Sequence, residues 1–133
     1  MQTPPQIIIV SNTSQSEWLL SMTKGLSSLG DVQVLSENDA FMLVRASLSK
    51  RLLVIADASA IKKNMTAYVS QLHHLQPDLP IIVVTASPTW GRARSLFRAG
   101  AADYTRKSFD INKIINICKE LLACLLVGVA ISA

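Results

Sequence analysis

The stretch RLLVIADASA, residues 51–60, decides how the rest of the chain is read. Leu52 to Ile55 are apolar without interruption, and the run ends on a lone carboxylate, Asp57, followed by small residues. A continuous apolar run of this length suits a strand covered on both faces, as in a parallel sheet. The acid at its end has two readings. It is either a turn residue capping the next helix or a chemical group placed at a strand end.

Two further runs have the same character, IIIV at 7–10 and IIVV at 81–84, while VQVL at 32–35 alternates as an edge strand with one wet face would. Helical patterns lie between them. SQSE at 14–17 reads as a capping box, and Trp18, Leu19, Met22, Leu26 and Leu29 then form an apolar stripe that stops at Gly30. Phe41, Val44 and Leu48 space a second helix over 38–49, and a third over 62–75 is closed off by QPDLP. Ser87 and Pro88 suit the N-cap and first position of a fourth, running to Gly100. A short strand near Ala102–Thr105 and a long helix from about Asp110 complete the series. This is β-α five times over, with no internal repeat or domain boundary. Right-handed crossovers onto one sheet make it a doubly wound α/β fold, and its five-stranded parallel form with order 2-1-3-4-5 is flavodoxin-like.

Composition agrees with one packed domain: 133 residues, 50% hydrophobic and 17% charged, which excludes disorder. The net charge of +4 admits an acidic partner. Arg92, Arg94 and Arg98 on the fourth helix, with Arg106 nearby, read either as a solvated face or as a docking surface. Without a recognition-helix motif or interleaved aromatics, nucleic-acid binding by this domain is not expected. His73 and His74 face different directions with no third ligand nearby and read as surface residues, while Trp18 and Trp90 read as core or boundary. Cys118 and Cys124, six apart on a helix, point away from each other, so free thiols in a reducing compartment are expected.

The start, MQTPPQ, has neither the basic nor the apolar region of a secretory signal, which fits a cytoplasmic domain. The segment LLACLLVGVAISA, 121–133, carries no charge. A membrane span needs roughly 20 apolar residues. The tail therefore reads as a buried terminal helix, an oligomer seam, or the first half of a truncated span, the one case that would bring membrane contact. We take residues 1–122 as the domain and 123–133 as an apolar extension of the last helix.

In a doubly wound sheet, ligands bind beyond the carboxyl ends of the strands near the switch point. Ser11-Asn12-Thr13 follow the first strand, Asp57 ends the third, Thr85-Ala86-Ser87 end the fourth, and Lys107 follows the fifth. An acid, a hydroxyl and an amine thus reach one edge of the sheet. Taken singly, Thr85 is an ordinary strand residue, Lys107 a solvated lysine and Tyr104 a packed aromatic.

Together, over residues 6 to about 122, these positions resemble the receiver domain of two-component response regulators. The resemblance puts Asp57 at the phosphoacceptor position, Thr85 in VVTAS at the hydroxyl that contacts the phosphoryl group, and Lys107 in RAGAADYTRKSFD at the lysine that pairs with it. Tyr104 falls on the switch aromatic. The chain also departs from the family. Two adjacent carboxylates usually end the first strand and hold Mg²⁺ together with the phosphoacceptor; here Ser11 and Asn12 stand there, and Ser108 replaces the proline after the lysine. The loop after Asp57, ASAIKKNMTAY, lacks the usual proline and glycine.

A charge count gives the consequence. The family's pocket holds three carboxylates and one ammonium, which one Mg²⁺ neutralises; Asp57 and Lys107 already sum to zero. Even two unit charges about 4 Å apart are worth about 4 kcal/mol at a partly exposed site, roughly three decades in affinity. The metal site is expected to be lost, leaving no cofactor unless the receiver is still active with Mg²⁺. The expected function is that of a degenerate, non-enzymatic receiver in a phosphorelay, impaired in Mg²⁺-dependent phosphorylation of Asp57 and acting through protein contacts. Its partner would be a sensor histidine kinase or another signalling protein, or a second copy through the fourth helix, fifth strand and fifth helix or through the tail. One alternative is a fully functional phosphoacceptor at Asp57. Another is a small phosphatase with an aspartate nucleophile, although that chemistry looks for a second acid where Ser59 stands. Nucleotide binding is disfavoured because SNTSQSE after the first strand is not glycine-rich.

Overall fold

The computed structural model describes residues 4–12, 16–47, 51–59, 61, 64–107 and 111–126. Strands and helices alternate: β1 (Gln6–Val10), α1 (Glu17–Leu26), β2 (Asp31–Leu35), α2 (Glu37–Ala46), β3 (Leu52–Asp57), α3 (Met65–Leu75), β4 (Ile81–Thr85), α4 (Trp90–Ala99), β5 (Asp103–Arg106) and α5 (Asn112–Leu126). All pairings are parallel and the order is β2-β1-β3-β4-β5, the flavodoxin-like arrangement expected from the sequence. β3 and β4 are buried throughout and β1 nearly so, whereas of the edge strands β2 is largely open to water and β5 is partly buried. The uninterrupted apolar runs are therefore the central strands.

The two-residue period of a strand divides each run between two cores. Ile7, Ile9, Leu53, Ile55, Ile82 and Val84 pack on one face with Trp18, Leu19 and Met22 of α1 and Ile114 and Cys118 of α5. Ile8, Val10, Val54, Ala56, Ile81 and Val83 pack on the other with Ala40 and Val44 of α2, Tyr68, Val69 and Leu72 of α3, and Leu96 of α4. By the same alternation Asp57 continues toward the α1 and α5 side, and Thr85 toward α3 and α4.

Several helix starts differ from the sequence reading; α3, expected from 62, begins at Met65 behind an Asn64 cap. The α1 cap is Ser16, whose hydroxyl accepts the Leu19 N–H at 3.1 Å; Ser14 lies outside the described residues. α4 starts behind Thr89, whose hydroxyl accepts the Arg92 N–H at 3.3 Å. The Ser87 N–H is taken up by Thr85 Oγ1 at 3.2 Å, so the chain makes one more turn before the helix begins. α4 ends where sequence placed it, at Gly100, whose φ of 119° needs a residue without Cβ.

His73 is not the surface residue expected. It is half-buried against Gly100, where an added Cβ would fall 2.5 Å from its ring. Trp90, read as core or boundary, is 88% exposed. Cys118 is buried and Cys124 half-buried, and both are free thiols. No described helix is long and apolar enough to cross a membrane, and residues 127–133 of the apolar tail lie outside the described residues.

Candidate functional site

The site is assembled at the carboxyl ends of the strands. β3 delivers Asp57 as its last residue, and the turn that follows sends the Ser59 N–H back to Asp57 Oδ1 at 3.1 Å. The Lys107 N–H donates to the Thr85 carbonyl at 2.7 Å, which ties the chain after β5 to the end of β4. From there the lysine side chain reaches across to Asp57, with Nζ 2.9 Å from Oδ2. Both carboxylate oxygens therefore have donors. The Asp57 side chain is 2% exposed and that of Lys107 20%, so the pair is shielded mainly on the acid's side. This is the ion pair that the opposite charges of the two positions anticipate.

Trp18, from the first turn of α1, closes the other side of the ammonium. Its ring centroid is 4.6 Å from Lys107 Nζ, and the residue is 6% exposed. This contact was not read from the sequence, where Trp18 counted only as an apolar position. The available signal was its place: the second residue of the helix that follows β1, and so next to the strand ends.

Ser11 is buried at the end of β1, its N–H held by the Leu35 carbonyl at 2.9 Å. Asn12 is exposed and its side-chain amide donates to Glu37 Oε1 at 2.9 Å. Glu37, the first residue of α2 and only 6% exposed, was also missed. Its carbonyl accepts the Tyr68 hydroxyl at 2.8 Å, which joins α2 to α3. Burial first, and the Glu37 charge second, push the Tyr68 phenol well above its ordinary range.

Thr85 shares the sheet edge but turns the other way. It lines a cavity of about 330 Å³ with Asn64, Thr66, Arg92, Leu96 and Tyr104, between α3 and α4. Tyr104 is half-buried, and its hydroxyl accepts the Thr89 N–H at 3.2 Å, linking β5 to the cap of α4. Asp57 and Lys107 are thus brought into contact, while Thr85 and Tyr104 gather at a neighbouring cavity. Ser108 lies outside the described residues.

No family model matches the chain. The DNA-binding transcriptional regulator NtrC of Escherichia coli K12 is 25% identical over 115 residues, which cover 86% of this chain and 24% of that protein. NtrC of Rhizobium meliloti is 32% identical over 71 residues, 53% of this chain and 15% of that protein. The chain spans about a quarter of the length of the E. coli relative. Among solved structures, a CheY-like response regulator receiver domain protein from Methanospirillum hungatei JF-1 superposes with a TM-score of 0.81 at 19% identity, covering 95% of this chain and 99% of that one. The beryllofluoride-activated NtrC4 receiver domain dimer gives 0.76 at 13% identity, covering 90% and 98%. In strand order and in sequence, the chain is thus similar to the receiver domains of two-component response regulators.

Proposed function

We propose that this receiver is a degenerate one that serves two-component signalling through protein–protein contact, without efficient Mg²⁺-dependent phosphorylation of Asp57. The observation that carries the reading is the direct Lys107–Asp57 ion pair at 2.9 Å. In the pocket the family uses, a divalent cation rests on a cluster of carboxylates. Here Ser11 and Asn12 stand at two of those positions, and the Asn12 amide is engaged with Glu37. Mg²⁺ is strongly hydrated and is held by carboxylates plus water, so this donor set does not fit it. Phosphoryl transfer to an aspartate needs its developing charge stabilised. Lys107 supplies only part of that, and Thr85 turns toward the neighbouring cavity.

The contact surface we assign is α4. Of its ten residues only Leu96 is buried; Trp90 and Phe97 are 88% and 39% exposed, and Arg92, Arg94 and Arg98 all face solvent. The helix carries no acidic residue. Trp90, Arg94 and Arg98 fall at four-residue spacing and form one ridge with Phe97. An aromatic and arginine ridge of this kind suits an acidic partner surface with apolar anchors, such as a kinase or another signalling protein. A partner that prefers one conformation would bias the domain without phosphate. The domain itself is non-enzymatic in this reading and cytoplasmic.

The test incubates the chain with Mg²⁺ and acetyl phosphate and measures intact mass, alongside a Mg²⁺ titration. No phosphoryl adduct and no saturable Mg²⁺ binding in the millimolar range are expected. A substantial adduct that disappears in Asp57→Asn would make Asp57 an ordinary phosphoacceptor.

A further inference from the structure

We infer that Trp18 is a positioning residue: its indole face holds the Lys107 ammonium over Asp57, so the pocket carries its own tethered cation. Three elements distant in sequence meet at one charge, α1 through Trp18, β3 through Asp57 and the segment after β5 through Lys107. A lysine side chain is long and rotamer-rich, and an ion pair alone fixes it poorly when water reaches one side. Lys107 is in that position, with 20% of its side chain exposed. The 4.6 Å separation from the indole centroid lies within the roughly 6 Å over which an aromatic face attracts a cation, and the attraction strengthens as the site is desolvated.

A second observation separates this role from packing. The Trp18 Nε1–H is buried and finds no hydrogen-bond partner among the described residues. An orphaned buried donor costs about as much as a lost hydrogen bond. A residue needed only to fill the core between α1 and the sheet would be better as leucine or phenylalanine, which have no donor to strand. What tryptophan adds is the stronger cation-binding face. Sheet pleating supports the same assignment, because Asp57 continues the row of Leu53 and Ile55 toward the face that Trp18 covers.

The inference rests on the metal-free reading of the pocket, but the two fail separately. Phosphoryl incorporation tests that reading and does not depend on Trp18; the reactivity and resonances of Lys107 test Trp18 and do not depend on phosphate. The experiment uses the 133-residue chain with Trp90→Phe, which leaves Trp18 as the single indole. Lysine acylation is mapped by mass spectrometry with Lys24 and Lys113 as internal references, and the lysine ε-methylene signals are recorded by NMR, with Lys107→Arg assigning those of Lys107. The Lys107 signals are expected upfield of the other lysines and unmoved by EDTA. Trp18→Leu should raise Lys107 acylation by about five- to ten-fold, and Trp18→Phe by about two-fold. Should Trp18→Leu not fold, the upfield shift and the Phe variant carry the test. Lys107 signals at the ordinary position, or acylation unchanged in the variants, would overturn the inference.

Discussion

The Asp57 pocket and helix α4 stand at neighbouring strand ends and are built in opposite ways. In the pocket, each oxygen of a carboxylate that is 2% exposed has a donor, and the ammonium lies between that carboxylate and an indole. α4, by contrast, rests on the sheet through one buried leucine and shows a tryptophan and three arginines to water. The difference teaches where this domain keeps its rigidity and where it leaves side chains open to water. A locked pocket agrees with the degenerate reading proposed above, and a lightly seated helix is the kind of element that partners order or shift.

The largest effect should come from opening the pocket. Lys107→Ala leaves Asp57 as a buried carboxylate without its cation, which should lower urea stability by about 3 kcal/mol, short of a fully buried pair because Lys107 keeps some water contact. Asp57→Asn added to it should recover part of the loss in a double-mutant cycle. Additive effects would mean that the pair is not coupled, and the contrast with α4 would collapse.

Gly100→Ala probes the other side. The positive φ and the His73 ring both oppose a methyl group, so a loss of about 2 kcal/mol is expected by the same unfolding assay. Hydrogen exchange should show the loosening first at α4. Uniform loosening of the sheet would argue that α4 is not a separately yielding element.

Burial pushes the Cys118 thiol on the α1 and α5 side up to about 12. An unfolded thiol ionises near 9, so the thiol's contribution is intact below that pH and is lost progressively between about pH 9 and 12. Stability should fall by up to about 1.4 kcal/mol per pH unit in that window. Cys118→Ala should flatten the onset of the slope. Tyr68, also raised, adds to it only above its own ordinary range near pH 10.

The smallest effect on stability belongs to Trp90→Ala, which should leave the melt within about 0.5 kcal/mol of wild type. Its binding of a signalling partner should nevertheless weaken by more than about ten-fold if the ridge is a hot spot. Unchanged affinity together with unchanged stability would remove α4 from the contact surface.

What was legible in the sequence follows the same division. Uninterrupted runs such as Leu52–Ile55 announce a parallel sheet because both faces must be covered, and the βα order then fixes which residues reach the strand ends. Asp57 and Lys107 could be paired on charge because the fold leaves few other groups at that edge. Trp18 and Glu37 were hidden for a physical reason. Apolar periodicity says that a side chain is buried but not which charge its ring meets, and an acid at a helix start looks like ordinary capping. Trp90 and His73 show the reverse failure. An aromatic in an amphipathic helix suggests burial, and an imidazole suggests surface, until a glycine such as Gly100 lets the neighbouring helix come close.

The reach of the Lys107–Asp57 contact has a kinetic consequence. It joins residues 50 positions apart, one at the end of a central strand and the other beyond the last strand of the sheet. Until β5 is laid against β4, Asp57 has no cation, and a chain that buried it early would bear an uncompensated charge. The order of events is therefore constrained from within: the central strands can collapse first, but closure at Asp57 waits for the far end of the domain to arrive. If the contact forms that late, Lys107→Ala should speed unfolding far more than it slows refolding, which stopped-flow kinetics of the two limbs would measure.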